Sequence, residues 1–265
     1  MSVITPTATL GQQARPTQRE SISSPKRLAG IAGVLYLIVG IFGGFAEGVM
    51  EPKMYVAGNA AATAGNVVAN AGLVRIGVVA DLFQATIFVF LAMTLYLLLE
   101  HVNRNAARAM VILVAIATSI MCLNDVFELE GLRVATGAVD PTALGAAGSN
   151  ALVLLLLDLQ HYGLLIAQIY FGLWLVPLGY LAYRSGMFPK SLGVALIVGG
   201  VCYLADMLAL FLVPDVGAKI AAFVVIPSAI AEFWMVGYLL LMGARSPRPS
   251  DPATIVSAGH VTSTP

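Results

Sequence analysis

The sequence predicts an all-α, polytopic transmembrane helix bundle of six spans, with the N and C termini cytoplasmic. Three observations predict it: a very apolar composition, six apolar stretches of membrane-crossing length, and an uneven placement of Lys and Arg. Of the 265 residues, 59% are apolar and only 11% charged. Soluble domains carry about 25% charged residues, because water-facing surface demands them; lipid-facing surface excludes them. Strand-like alternation is absent, which removes a β-barrel from contention. The formal net charge is zero, so no basic field points to a nucleic-acid partner.

Residues 1–27 are rich in Ser, Thr, Pro, Gln and Arg without apolar periodicity and read as a disordered cytoplasmic tail. Residues 244–265 read the same way. Lys26 and Arg27 before an apolar run imitate a secretory signal. That run, 28–50, is too long for a signal core and lacks a following A-x-A site, so it is read as a retained span. A helix rises about 1.5 Å per residue and the hydrocarbon layer is about 30 Å thick, so a span needs about 20 apolar residues. Six stretches meet this: 28–50, 74–99, 109–133, 160–183, 190–213 and 220–243, together forming one domain over 28–243.

Apolar character starts early before the fourth span. One helix over 151–183 would be roughly 50 Å long, so Ala151–Leu157 is expected to lie along the outer interface or cap the bundle. Residues 59–73, rich in Ala and Asn, are expected to form a short interfacial helix. Gly40, Gly44 and Gly48, and likewise Ala195 and Gly199, recur at four-residue spacing and predict close helix contacts. Pro177 and Pro227 each remove a backbone donor and predict kinks. Cys122 and Cys202 lie in separate apolar runs and read as small buried residues, not as a disulfide or a metal clip.

Orientation follows from the positive-inside rule. One side carries Arg15, Arg19, Lys26, Arg27, Arg104, Arg108, Arg184, Lys190, Arg245 and Arg248; the other carries Lys53, Arg75, Arg133 and Lys219. The richer side, with both tails, is assigned to the cytoplasm, and the membrane to the bacterial cytoplasmic (inner) one.

The acids run the opposite way. Glu20, Glu100 and Asp251 are cytoplasmic and Glu232 sits mid-span, whereas Glu47, Glu51, Asp81, Asp125, Glu128, Glu130, Asp140, Asp158, Asp206 and Asp215 lie in the outer loops or outer span halves. From the helix rise, Asp81 is about 10 Å inside its span, Asp125 and Asp206 about 12 Å, and Glu47 about 5 Å. A charge at the centre of a span costs at least about 2.5–3.5 kcal/mol, so such groups face a bundle interior or a wet cavity. Asp125 and Glu128 are three apart, as are Asp81 and Gln84; Asn124 is four before Glu128. Asp158, His161 and Gln168 share one side of the fourth span. Cys202 pairs with Asp206 on one face, and Ser228 with Glu232. Asp158, Glu130, Asp140 and Asp215 are expected to be solvated at the boundary. Glu47 and Glu128 could alternatively reach water or pair with Arg75 or Arg133. The candidate ligand-binding set is Glu47, Asp81, Gln84, Asp125, Glu128, His161, Asp206 and Glu232.

The stretch LDLQHYGLLIAQIYFGLWLVPLGYLAYRSGMFPKSLGVALIVGGVCYLAD (157–206) resembles the bacterial membrane family catalogued as domain of unknown function 4386. So do RLAGIAGVLYLIVGIFGG (27–44) and NAAATAGNVVANAGLVRIGVVADL (59–82). The likeness covers roughly 25–243. It implies a multi-span bacterial membrane protein and assigns no catalytic residue.

Three functions compete. The first is a binding or transport protein whose outer carboxylates take a cation, a proton or a small cationic ligand. The second is a non-enzymatic membrane component or envelope sensor whose acids are structural contacts. The third is an intramembrane metal-dependent lipid hydrolase with a divalent ion among His161, Asp125, Glu128 and Asp206. A single membrane-embedded His and the lack of HExxH weigh against the third, and the balance favours no enzyme. No cofactor is predicted unless a divalent metal occupies that set. There is no GxxxxGK[ST] loop for a nucleotide. The partner that the composition does imply is the lipid bilayer; nothing in the pattern sets an oligomeric state.

Overall fold

Ser24 caps the first helix: its Oγ accepts from the Arg27 N–H at 3.4 Å, and Pro25, which lacks an N–H, takes the first helical position. The computed structural model describes residues 24–138, 144–224 and 226–241. Helix α1 (Pro25–Phe45) runs into a π-helical turn, Ala46–Met50, and a last short turn, α2 (Glu51–Met54). Asn59 caps α3 (Ala60–Ala69), its side chain accepting from the Ala62 N–H at 3.0 Å. Then follow α4 (Ala71–Leu99), α5 (Arg104–Ala135), α6 (Gly145–Ser185), α7 (Lys190–Leu212), α8 (Pro214–Val224) and α9 (Ile226–Leu241). Among the described residues there is no strand. The fold is all-α, as the composition requires.

Five of these units, Pro25–Met54, α4, α5, α6 and α7, are long and apolar enough to cross a membrane, and α8 with α9 forms a sixth unit bent by 40°. The chain is a multi-pass membrane protein. Neighbours in sequence pack as neighbours in space, α4 on α5, α5 on α6 and α6 on α7, while α1 lies against both α4 and α9. The Phe188 and Tyr238 rings are 5.4 Å apart, and the Tyr238 hydroxyl donates to the Met187 carbonyl at 3.1 Å. Leu239 and Leu240 also lie against Gly33 of α1. The end of α9, the start of α1 and the α6–α7 turn therefore meet at one end of the bundle. The bent α8–α9 unit returns the chain to the end from which it started.

The main core includes Tyr36, Phe88, Leu95, Met110, Trp174, Leu192 and Met235. A smaller one at the opposite end gathers Met50, Met54, Val67, Val74, Leu132, Val153 and Leu157. Large apolar side chains such as Ile76, Phe83, Ile112 and Leu123 point outward, the reverse of a soluble domain and the arrangement lipid favours.

Several expectations are corrected. Ala151–Leu157 caps the bundle, one of its two expected places, but is not a separate interfacial piece. It belongs to α6, an unbroken helix of 41 residues, about 60 Å long. Val153 and Leu157 pack in the small end core with α3 residues Ala64 and Val67, so the extra turns are covered by protein. The helix expected within 59–73 exists as α3, but Ala71 onward is already α4.

Beside Gly40, Gly44 and Gly48 nothing approaches within 4 Å of where a side chain would start; that stripe makes no close helix contact. Gly199 does, with Ser228 Cα at 2.9 Å from such a position, and Gly172 with Gly200 and Gly179 with Gly193 bring α6 and α7 equally close. Pro177 sits inside continuous α6. Pro227 comes directly after the break between α8 and α9, at the second position of the new helix, where its missing N–H costs nothing. Cys122 is exposed and Cys202 half-buried, both free thiols; Cys122 shares an outward face with exposed Leu123 and Val126. Asp140 and the tails at 1–23 and 242–265 lie outside the described residues.

Candidate functional site

The π-helical turn re-aims the end of the first span. An extra residue in the turn rotates the helix beyond it, and Glu47 and Glu51, one on either side of Met50, line a common cavity with Asp81, Asn124 and Asp125. Gly77 locks this arrangement. A Cβ there would coincide with the Met50 sulfur, so only glycine lets buried Met50 lie flat on α4, one turn before Asp81. On the other wall Gly163 of α6 leaves room for the Asn124 amide, which any Cβ at 163 would overlap.

At the heart of this region Asp81 of α4 and Asp125 and Glu128 of α5 each offer a carboxylate oxygen, and these oxygens lie within 4.8 Å of one another. The three-residue spacing of Asp125 and Glu128 puts both on the α5 face toward α4. Glu128 is 1% exposed and Asp125 7%. Both Glu128 oxygens and Asp125 Oδ2 have no hydrogen-bond partner among the described residues, nor has Asn124 Nδ2. Two unit charges at that spacing repel by about 3 kcal/mol at an effective dielectric of about 20. Burial without a partner adds a desolvation cost of several kcal/mol per ion. Such a group is compatible with a stable fold only when protons or a cation balance it. The adjoining cavity, about 20 Å³, has room for one water or a bare ion. All donors are hard oxygens, the set that suits Mg²⁺, Ca²⁺ or Mn²⁺.

Next to the trio is a hydrogen-bonded cluster on α2 and α6. His161 Nδ1 lies 2.6 Å from Glu51 Oε1, the Tyr55 ring stacks on the imidazole at 5.0 Å, and the Tyr55 hydroxyl donates to Asp158 Oδ1 at 2.5 Å. Burial, and then the bond to Asp158, push the Tyr55 phenol above its ordinary pKa. Asp158 is thus a hydrogen-bond acceptor and not merely a solvated boundary residue. Glu130 pairs with Arg133 at 2.5 Å on the exposed side; Arg133 therefore serves Glu130, not Glu128.

Deeper in the bundle is a second acid. Glu232 Oε2 of α9 accepts from the Tyr36 hydroxyl of α1 at 2.9 Å. Both residues, with Tyr203, line a cavity of about 150 Å³ and a second of about 240 Å³. The first also touches Gln84, Phe88, Phe171, Trp174 and Glu47, so Glu47 borders both the small acid cavity and this larger one. Gly43 makes room for Gln84, whose Nε2 would be 2.8 Å from a Cβ there.

Of the eight candidate residues, Asp81, Asp125 and Glu128 converge, and Glu47 lines the same recess; Gln84 and Glu232 share the larger cavity. His161 is joined to Glu51, one place along. Asp206 is buried, 2% exposed with Oδ1 unpartnered among the described residues, and lines none of these three cavities. Of the metal-ligand set His161, Asp125, Glu128 and Asp206, two members lie in the trio and two stand apart from it. Sequence reasoning left Tyr36, Tyr203 and Asn124 out of the site. A signal existed for the first: Tyr36, Gly40, Gly43, Gly44 and Glu47 keep helical spacing down one face of the first span. No curated protein and no solved structure matches the chain. A family model does match, over residues 31–243, most of the chain and every span, and the protein belongs to that family, described as Domain of unknown function (DUF4386).

Proposed function

We propose that this protein binds a cation at Asp81, Asp125 and Glu128 and passes it, or protons exchanged for it, along the bundle. The observation that supports this best is the meeting of three oxygens within 4.8 Å, where Asp125 Oδ2 and both Glu128 oxygens are buried with no protein donor among the described residues. Structural acids behave differently here: Glu130 and Asp158 each have a partner of their own. The cavities support a route. Glu47 borders the trio's recess and the 150 Å³ cavity, and Glu232 borders that cavity and the next, so carboxylates recur from the acid-rich end toward the middle. In this reading the acid-rich end faces outward from a bacterial cytoplasmic membrane, with the Lys- and Arg-rich end inside. The lipid-hydrolase reading is weaker, because the imidazole that would complete its ligand set is bonded to Glu51.

The test uses the full chain in lipid nanodiscs, with Mn²⁺ binding read by electron paramagnetic resonance. One Mn²⁺ per chain is expected, lost in Asp125→Asn with Glu128→Gln and retained in Glu130→Gln. Equal binding by the wild type and the double variant would overturn the proposal.

A further inference from the structure

The cavity around Glu232 differs in kind from the carboxylate trio. Five rings, those of Tyr36, Phe88, Phe171, Trp174 and Tyr203, line it beside Glu232, with Glu47 and Gln84 also on its wall. The rings are held in place by each other. Phe88 meets Trp174 edge-on with centroids 5.0 Å apart, and Tyr36 tilts against Trp174 at 5.6 Å. The Tyr36 hydroxyl donates to Glu232 Oε2, which fixes the carboxylate at the cavity wall.

Faces of Trp, Tyr and Phe attract a cation most strongly where water is scarce, and they accept diffuse organic cations that cannot shed charge to a small oxygen cage. A bare divalent ion needs six or more oxygens closing directly on it; here five aromatic rings stand beside the carboxylates of Glu232 and Glu47. Its volume of about 150 Å³ also exceeds what a single dehydrated ion requires. The adjoining cavity of about 240 Å³ is walled mostly by apolar groups, among them Leu37, Ile41 and Phe233. These three side chains are exposed on the outer surface between α1 and α9, where lipid tails would lie. A ligand reaching Glu232 from there must itself be lipophilic.

We infer that Glu232 and its aromatic walls form a binding site for an amphiphilic organic ammonium, the charged head held against Glu232 and the apolar body lying between α1 and α9. The inference deepens the cation-binding reading at a second place. The shared chemistry is an alkylated or primary ammonium, and a free amphiphile or an aminophospholipid headgroup could supply it.

The experiment uses the full chain in phosphatidylglycerol nanodiscs and monitors quenching of tryptophan fluorescence, since Trp174 lines the cavity. The probe is octyltrimethylammonium, and octanol is its neutral counterpart. Saturable binding of the ammonium at least tenfold tighter than that of octanol is expected, with a tenfold or larger loss in Glu232→Gln and no loss in Glu130→Gln. Repetition in phosphatidylethanolamine discs assigns the source. Weaker probe binding there identifies the lipid amine as occupant, and unchanged binding identifies a free amphiphile; both uphold an ammonium site.

Equal affinity for ammonium and alcohol, or full affinity in a folded Glu232→Gln protein, would overturn the inference. The wild-type comparison needs no variant, so a poorly folding Glu232→Gln leaves the test intact, with Phe171→Leu, which removes one ring from the wall and keeps the Trp174 reporter, as the second variant. Loss of Mn²⁺ binding at the trio would bear on the earlier proposal alone, because the ammonium probe reads a different cavity.

Discussion

Met50 occupies the space that a side chain at Gly77 would fill, and this one contact fixes the π-helical end of the first span against α4 one turn before Asp81. The recess beside the carboxylate trio depends on that fit, because Glu47 and Glu51 flank Met50 and both line it. Replacing Gly77 with Ala forces Met50 aside. Overpacking of this sort costs about 1–3 kcal/mol. Gly77→Ala is expected to lower the thermal midpoint in detergent and weaken Mn²⁺ binding, whereas Gly65→Ala, where a Cβ meets nothing, changes neither. Unaltered Mn²⁺ affinity in Gly77→Ala would detach the π turn from the site.

The Tyr36–Glu232 bond joins the first and last helices of the bundle. Tyr36→Phe keeps the ring and its contact with Trp174 but strips Glu232 of this donor. A buried acceptor left unsatisfied costs about 1–3 kcal/mol, more if charged. Unfolding monitored by circular dichroism is expected to show a loss of that size, partly restored by also changing Glu232→Gln. If the double variant is no more stable than Tyr36→Phe, the two groups are not coupled.

Tyr55 gives a pH signature at the acid-rich end. Its phenol is pushed above the ordinary value of 10.0 by burial and by its bond to Asp158. The folded state therefore holds this proton more tightly than the unfolded chain does. Its contribution is complete below about pH 10 and is lost as pH rises toward the folded value. The stability difference between wild type and Tyr55→Phe, measured from pH 8 to 11, is expected to be constant up to about pH 10 and to shrink above it. A difference that grows with pH would contradict the assignment.

Gly199 and Ser228 hold α7 to α9. The Ser228 Oγ donates to the Gly199 carbonyl at 2.7 Å, and a Cβ on Gly199 would press on Ser228 Cα at 2.9 Å. Gly199→Leu must separate the helices and is expected to cost several times the effect of Ser228→Ala, itself about 1 kcal/mol. Comparable midpoints for the two variants in a thermal melt would show that close approach is not what holds this pair.

Which features were legible in the sequence depends on which forces are local. Span positions were legible because lipid selects length and apolarity segment by segment. Asp125 and Glu128 were legible as a pair because three residues make nearly one turn. Their meeting with Asp81 lies between helices, and no period within α4 or α5 encodes it. The same limit explains the glycines: four-residue spacing drew attention to Gly40, Gly44 and Gly48, which touch nothing, while isolated Gly77 and Gly163 hold the recess open. At Ala151–Leu157 a cap was legible but its continuity with α6 was not, since a helix longer than the bilayer can continue into a protein cap. The outward Cys122 was missed because, in a lipid-facing chain, an apolar neighbourhood does not imply burial.

Cation binding at the trio can be seen directly in an anomalous difference map from crystals of the protein grown with Mn²⁺. One strong peak is expected among Asp81, Asp125 and Glu128, at about 2.0–2.6 Å from their oxygens, the range spanned by hard cations. A peak at Glu51 and His161 instead, or the three carboxylates turned toward protein donors with no peak between them, would contradict a cation site there.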